Sequence, residues 1–295
     1  MELQKGPSQP EGNPLEAEPV GGGCIHPAAR LRLPDGRQAF LKWARSKGAA
    51  GFGVEAEGLR ALAERGGVAV PDVYAFREGD AGDHGWLLLE WIEPGGATSE
   101  TAPLLGRGLA RMHRPIPGAT PGWDGDGRIG TLPQANPTAI DWPSFWADAR
   151  LAPQWHRARE AGHGGAPEER AMTRLLAGMD EALVGSVEDG ISLLHGDLWG
   201  GNVHVGGKGI PFLVDPAPYR GHREVDLAML HLFGGLGSGV LDAYRTAAPL
   251  LPGFWEVRLP LYQLYPLLVH VNLFGGSYVA RAFNSLRRVV AELGW

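Results

Sequence analysis

The stretch ISLLHGDLWGGNVHVGGKGIPFLVDPAPY, residues 191–219, decides how this chain is read. Two short apolar runs, VHV and IPFLV, flank the turn sequence GGKG and form a β-hairpin. Asn202 stands just before the first run. Asp215 follows the second, and Pro216 then ends the pairing. A hairpin folds its outer ends together, so Asn202 and Asp215 are expected side by side, away from the turn. An amide oxygen beside a carboxylate suits an oxygen-preferring cation such as Mg²⁺ bound with nucleotide phosphates. Asp197 lies five residues before Asn202, where it can accept a hydroxyl proton while the metal holds a phosphate. The bland alternative is a polar turn beside a hairpin.

The spacing H-G-D-x-x-x-x-N followed by Asp after an apolar strand resembles the catalytic loop and metal-binding Asp of kinases, with HGD for HRD and DPA for DFG. A kinase also needs a lysine on a strand paired with a helical glutamate. Lys42, in QAFLKW, sits in a strand-like run; a snorkelling edge lysine is the alternative. In VEAEGLRALAER, Glu55, Leu59 and Leu62 share the apolar helix face, whereas Glu57, Arg60 and Glu64 lie on a polar one. Glu55 is therefore the expected partner of Lys42.

Composition agrees with a globular enzyme. The 295 residues suffice for one large domain or two lobes, with 44% hydrophobic and 20% charged residues. Net charge is −6 and no Lys/Arg block stands out, so neither nucleic acid nor a membrane surface is an expected partner. The single cysteine, Cys24, excludes a disulfide framework. The polar, proline-rich N-terminus lacks a signal peptide's apolar core, and no apolar run approaches the ~18 residues of a membrane span. The expected location is the cytoplasm.

Periodicity and turn signals organise the chain as α+β, a bilobal protein-kinase-like fold. Residues 1–18 read as a flexible tail. Residues 19–93 read as a small β-rich lobe with one main helix. Residues 94–295 read as a larger, mostly helical lobe, in which 115–140 form an ordered loop insertion. Gly22 and Gly23, in VGGGCIH, supply closely spaced N–H groups for phosphates, or merely a tight turn. Cys24 in that turn is either a redox switch or idle. In LLLEWIEPGG, Glu90 and Ile92 are placed to meet adenine through backbone groups. Asp226 opens a helix and either caps it or braces the HGD loop. Arg223 and Glu224 read as surface or salt-bridge residues, and His113 as a packed helix histidine. Trp199 is placed to stack on a substrate, or to pack in the core. His195 reads as scaffold.

The segments GGGCI, FLKWA, EAEGLRAL, LGRGLARMHR, RIGTLPQANP, DWPSFWADARLAPQ, LLHGDLWGGNV, FLVDPAPYRGHREVDLAML and VHVNLFGGSY occur in this order. Together they closely resemble the fructosamine kinase / ketosamine-3-kinase family over about residues 19–295. The resemblance implies an aminoglycoside-phosphotransferase-like kinase fold. It also implies transfer of the ATP γ-phosphoryl group to a sugar carbon-3 hydroxyl on a glycated amine. It places the base on Asp197, metal ligands on Asn202 and Asp215, the phosphate lysine and its partner on Lys42 and Glu55, and the substrate-facing tryptophan on Trp199. In VHVNLFGG it points to His270 and Asn272 as substrate contacts, although Leu273 stands where the family commonly has histidine. Alternatives are an aminoglycoside- or choline-type phosphotransferase, a nucleotide-binding module without catalysis, and a metal hydrolase built on His195 and Asp197. The last lacks the further clustered ligands such sites use. The sugar, the amine and the choice of monomer or dimer are not specified by these residues.

Overall fold

The computed structural model describes residues 17–21, 26–44, 51–79, 83–234, 237 and 239–295. Gly22, Gly23 and Cys24 lie outside them. The small lobe comprises β1 (Ala17–Val20), β2 (Ala28–Arg32), β3 (Gln38–Trp43), α1 (Phe52–Arg65), β4 (Val73–Arg77) and β5 (Trp86–Glu90). The strands form one antiparallel sheet in the order β1-β2-β3-β5-β4. Pro34-Asp35-Gly36 turns β2 into β3, with Gly36 at a positive φ of 86° and the Leu33 N–H donating to Arg37 O. Strand β1 starts two residues inside the expected tail: Ala17 and Glu18 pair with Leu31 and Arg30. That short, polar edge strand carries no apolar alternation by which to recognise it.

Helix α1 lays Phe52, Ala56, Leu59 and Leu62, all at most 2% exposed, toward the interior. Phe52, Ala56 and Leu59 pack with Leu87 and Leu89 of β5. This stripe sets the helix rotation and turns Glu55 toward Lys42 near the C-terminal end of β3.

The large lobe begins with α2 (Thr101–Met112). The segment expected as a loop insertion contains a hairpin, β6 (Gly127–Ile129) and β7 (Leu132–Gln134). Helix α3 (Trp142–Phe145), capped by Asp141 at the Ser144 N–H, runs through a π-turn into α4 (Ala152–Glu160). After α5 (Ala166–Ala177) and α6 (Met179–Ala182) come β8 (Ser192–Leu194), β9 (Val203–Val205), β10 (Pro211–Leu213) and β11 (Tyr219–Gly221). Strands β9 and β10 form the expected hairpin, and β8 pairs with β11. Helices α7 (Glu224–Phe233), α8 (Gly239–Ala247), α9 (Leu259–Phe274) and α10 (Ser277–Glu292) complete the lobe. No helix among the described residues is long and apolar enough to cross a membrane.

The lobes meet at the β9–β10 hairpin. The Gly95 N–H donates to Val205 O, and the Leu213 N–H donates to Ala69 O. Gly58 of α1 faces Pro218 so closely that an added Cβ would lie 2.5 Å from the proline Cγ.

Arg223 and Glu224 are buried ion-pair residues, not surface ones. Arg223 grips Asp189, and Arg258 holds Glu224 through Nε at 2.6 Å and Nη2 at 3.0 Å, with Glu224 fully buried. Asp189, His222 and Glu224 lie close enough to suggest a metal cluster. Their carboxylates are instead occupied by these guanidinium groups. Removing one partner strands a buried charge. Arg258→Met is therefore expected to cost about 3–5 kcal/mol in urea unfolding, and the double variant Glu224→Leu/Arg258→Met to recover much of that loss.

Candidate active site

The HGD loop hangs on Asp226. Leaving buried β8, the chain presents the His195 and Gly196 N–H groups to Asp226 Oδ2 and Oδ1, at 2.7 and 2.9 Å. Asp226 Oδ2 is also 3.1 Å from His113 Nε2, whose other ring nitrogen meets the Tyr244 hydroxyl. His113 is thus a buried histidine beneath the loop. His195 Nδ1 accepts the Asp197 N–H at 3.3 Å, so Nε2 carries the proton and donates to Val214 O at 2.9 Å. Burial holds the His195 pKa down, against the pull of Asp226, and favours this neutral tautomer. Gly196 has φ 79°, and a Cβ there would lie 1.9 Å from Ala217 O. Only glycine fits this turn.

Asp197 and Asn202 lock together. Asn202 Nδ2 donates to the Asp197 backbone oxygen at 2.8 Å and to its Oδ2 at 3.1 Å. These bonds turn the amide nitrogen toward Asp197 and leave the amide oxygen as a ligand atom. The Val214 N–H donates to Asn202 O, which brings Asp215 alongside Asn202 as the hairpin geometry requires. Burial pushes the Asp197 carboxyl up to about 7; the Asn202 hydrogen bond opposes this and the Asp215 charge adds to it.

Lys42 Nζ lies 2.5 Å from Glu55 Oε1 and 2.6 Å from Asp215 Oδ1. Burial alone would lower the lysine pKa. The two carboxylates outweigh it and raise the value, so the ammonium stays charged. Burial likewise works to raise the Asp215 pKa, and Lys42 brings it below the ordinary carboxylate value. Asp215 has a positive φ of 54°, uncommon for a residue with a side chain and typical of functional turns. About half of its side chain is exposed, so part of the carboxylate remains open to a ligand.

Lys42, Glu55, Asp197, Trp199, Asn202 and Asp215 line one inter-lobe cleft of about 290 Å³. Trp199 forms a wall. Its ring covers Gly201, where a Cβ would sit 2.2 Å from it, and its edge meets Phe233 at 6.5 Å. Gly127, Arg128 and Gly130 of the β6–β7 hairpin also line the cleft. They fall in the stretch expected as a loop insertion, where Gly127 and Gly130 of GRIG flank Arg128 and Ile129.

Other expected contacts lie elsewhere. His270 bonds Pro266 O and packs between Phe233 and Tyr278, at 4.6 and 4.7 Å. It reaches Trp199 only through Phe233 and does not line the cleft. Asn272 donates to the backbone and side-chain oxygens of Gln154, tying α9 to α4. Both serve helix packing here, because the C-terminal turns of α9 are held against neighbouring elements. The Glu90 N–H bonds Asp72 O and its carboxylate accepts the Asp72 N–H, while Ile92 packs against Gly206. Neither lines the cleft.

The chain matches the model of the fructosamine kinase family over residues 4–292. A probable ketoamine kinase of Synechocystis sp. is 36% identical over 285 residues, spanning 95% of this chain and 93% of its own. The chloroplastic protein-ribulosamine 3-kinase of Arabidopsis thaliana is 37% identical over 270 residues, covering 90% and 79%. The crystal structure of a candidate fructosamine-3-kinase from Thermobifida fusca superposes with TM-score 0.83 at 35% identity, covering 94% and 93%. A choline/ethanolamine kinase family protein from Mesorhizobium loti shares the bilobal fold, with TM-score 0.56 at 16% identity over 96% and 89%.

The raised Asp197 pKa has a consequence for stability. Asp197 titrates at about 7 in the folded chain and near 3.9 in an unfolded one. Below both values each state is protonated and the group is neutral to folding. Between them the folded state binds more protons, so stability falls as pH rises, and the full penalty persists above pH 7. Asp197→Asn is expected to stabilise the protein at pH 8 by on the order of a few kcal/mol, and to change little at pH 4, in thermal or urea unfolding.

Proposed function

Because the chain belongs to the fructosamine kinase family, it is an ATP-dependent phosphotransferase, and we propose that it phosphorylates the 3-hydroxyl of ketosamines carried on glycated amines or proteins. The observation that carries this reading is the cleft itself. A carboxyl poised near neutrality, Asp197, shares it with the Lys42 ammonium, held by Glu55, and with the Asn202 and Asp215 oxygens.

The donor set fits a hard divalent cation. The Asn202 amide oxygen and the part-exposed Asp215 carboxylate would hold Mg²⁺, which when bound neutralises phosphate charge. Lys42, steadied by Glu55, presents its ammonium to the phosphates of ATP. Asp197 receives the proton of the sugar 3-hydroxyl as that oxygen bonds to the γ-phosphorus and ADP departs. A carboxyl near 7 is matched to taking a proton at neutral pH. Trp199 stacks on the acceptor and limits its orientations. In the product, phosphate on carbon 3 is β to carbon 1, so 1,2-enolisation expels it and hydrolysis frees the amine. The implied role is deglycation.

An acceptor panel tests this reading. Fructosamines, ribulosamines and erythrulosamines should consume ATP and gain phosphate on carbon 3, whereas aminoglycosides and choline should not. Turnover of an aminoglycoside with inert ketosamines would overturn the reading. Asp197→Asn should retain ATP binding by calorimetry and lose about 10²–10⁴-fold in kcat. Wild-type turnover in that variant would remove the base.

A further inference from the structure

The β6–β7 hairpin reaches the cleft through Gly127, Arg128 and Gly130. Two of these are glycines, so Arg128 is the one side chain that the hairpin presents there. Ile129, between them, is buried in the large-lobe core at 4% exposure. Arg128 is exposed. Its stem crosses to the small lobe: a Cβ on Gly51, the residue that precedes α1, would lie 3.7 Å from Arg128 Cδ and 3.9 Å from its Cγ. Its Nη1 donates to Thr131 O at 3.2 Å, across the hairpin's own turn. The side chain therefore lies between the lobes, at the rim of the cleft.

The end of the cleft that Arg128 borders can be read from the β9–β10 hairpin. The connector after β5 closes on the turn of that hairpin, where the Gly95 N–H donates to Val205 O and Pro94 bridges to Gly206. Asn202 and Asp215 stand at the opposite, open end, just outside the paired strands. Arg128 lines the cleft with these two and with Asp197, Trp199 and Gly201, whereas no connector residue does. A nucleotide whose base lies toward the connector directs its γ-phosphorus to the open end. Beyond it stands the acceptor, between Asp197, the Trp199 wall and Arg128.

The charge at this rim limits which acceptor fits. Lys42, the cleft's ammonium, is engaged by Glu55 and Asp215. Arg128 adds a guanidinium on the acceptor side. A ketosamine carries a basic amine on carbon 1, and a guanidinium is a poor neighbour for a second cation. An acceptor that also bears a carboxylate reverses the sign, because the planar fork of arginine matches a carboxylate with two parallel N–H···O bonds. In a glycated α-amino acid that carboxylate stands one carbon beyond the amine nitrogen. In a glycated protein the main-chain carboxyl is a neutral amide.

We propose that Arg128 is a specificity-determining residue for the acceptor, its guanidinium pairing with the α-carboxylate of a free glycated amino acid. This rests on the ketosamine reading above and names the amine half of that substrate. Trp199 and Asp197 meet the sugar, and Arg128 selects what the sugar is attached to.

The test uses the full-length enzyme with ATP and two acceptors, fructosyl-glycine and its neutral amide, fructosyl-glycinamide. In wild type the acid should exceed the amide in kcat/KM by about tenfold or more, the difference lying in KM, as expected for a charge-assisted bond. In Arg128→Gln that ratio should fall toward one, with the ATP KM unchanged. Arg128→Lys, which keeps the charge without the fork, should give a ratio between the two. Raising the salt concentration should shrink the wild-type ratio. Equal kcat/KM for the two acceptors in wild type overturns the proposal, whatever the variants do. A ratio that survives in Arg128→Gln overturns it as well. So does a raised ATP KM with the ratio unchanged, which marks a phosphate contact instead. If wild type phosphorylates neither acceptor nor any other ketosamine, the functional reading fails and this inference falls with it. If ketosamines are phosphorylated without regard to the carboxylate, this inference fails alone.

Discussion

One buried carboxylate organises the site. Asp226, at 1% exposure, faces the His195 and Gly196 N–H groups and the His113 ring. Burying a carboxylate carries a large desolvation penalty, and these partners offset it enough to bring its pKa below the ordinary value. Asp226 can hold the loop only because α7 starts beside the end of β8, and the β8–β11 pairing enforces that neighbourhood. With the loop fixed, Ala217 N–H donates to His195 O and the His195 ring caps Val214 O. The two strand exits bearing Asp197 and Asp215 thereby become one rigid unit.

That unit is completed across the cleft by Lys42. Three carboxylates, of Glu55, Asp197 and Asp215, line the cleft with this lysine. Glu55 and Asp215 touch it and Asp197 does not. This unequal sharing explains why Asp197 and Asp215 shift in opposite directions: burial raises both, but Asp215 has a cation against it that outweighs burial, while Asp197 has only the Asn202 amide to oppose burial and the Asp215 charge. Two acids eighteen residues apart in sequence thus acquire different electrostatics, one pushed up to about 7 and the other held below the ordinary carboxylate value. Incoming phosphates would compete with Asp215 for Lys42, while Glu55 keeps the ammonium in place.

Much of this was legible in the residues. The GGKG turn and its flanking strands placed Asn202 beside Asp215, and the three-to-four-residue periodicity of α1 turned Glu55 inward. Both follow from local geometry, which short sequence windows carry. What the residues did not disclose was of another kind. Edge strand β1 has no apolar alternation. The three-residue strands β8 and β11 pair over a separation of more than twenty residues. For Arg223 and Glu224 the salt-bridge alternative is the one observed, but nothing nearby in sequence announces that Asp189 and Arg258 are the partners. His270 and Asn272 lie on the expected helix, but where its last turns meet Phe233, Tyr278 and Gln154 is decided by tertiary packing.

Glycines set how closely the lobes approach, and thereby place Glu55 relative to Asp197. Two of the contacts that helix α1 makes with the large lobe are at glycines. Gly58 lies against Pro218, immediately before β11, and Val54 lies against Gly125 and Gly127 at the start of the β6–β7 hairpin. In each contact one side has no side chain, so the helix can come close enough for Glu55 to reach Lys42 while Lys42 reaches Asp215. A Cβ at Gly58 would meet Pro218 at 2.5 Å, closer than real contacts allow, and the helix would have to move. Such movement carries Glu55 with it, since Val54, Glu55 and Gly58 share barely more than one helical turn. The insertion hairpin therefore does more than close the end of the cleft. It buttresses the helix that holds Glu55 against Lys42.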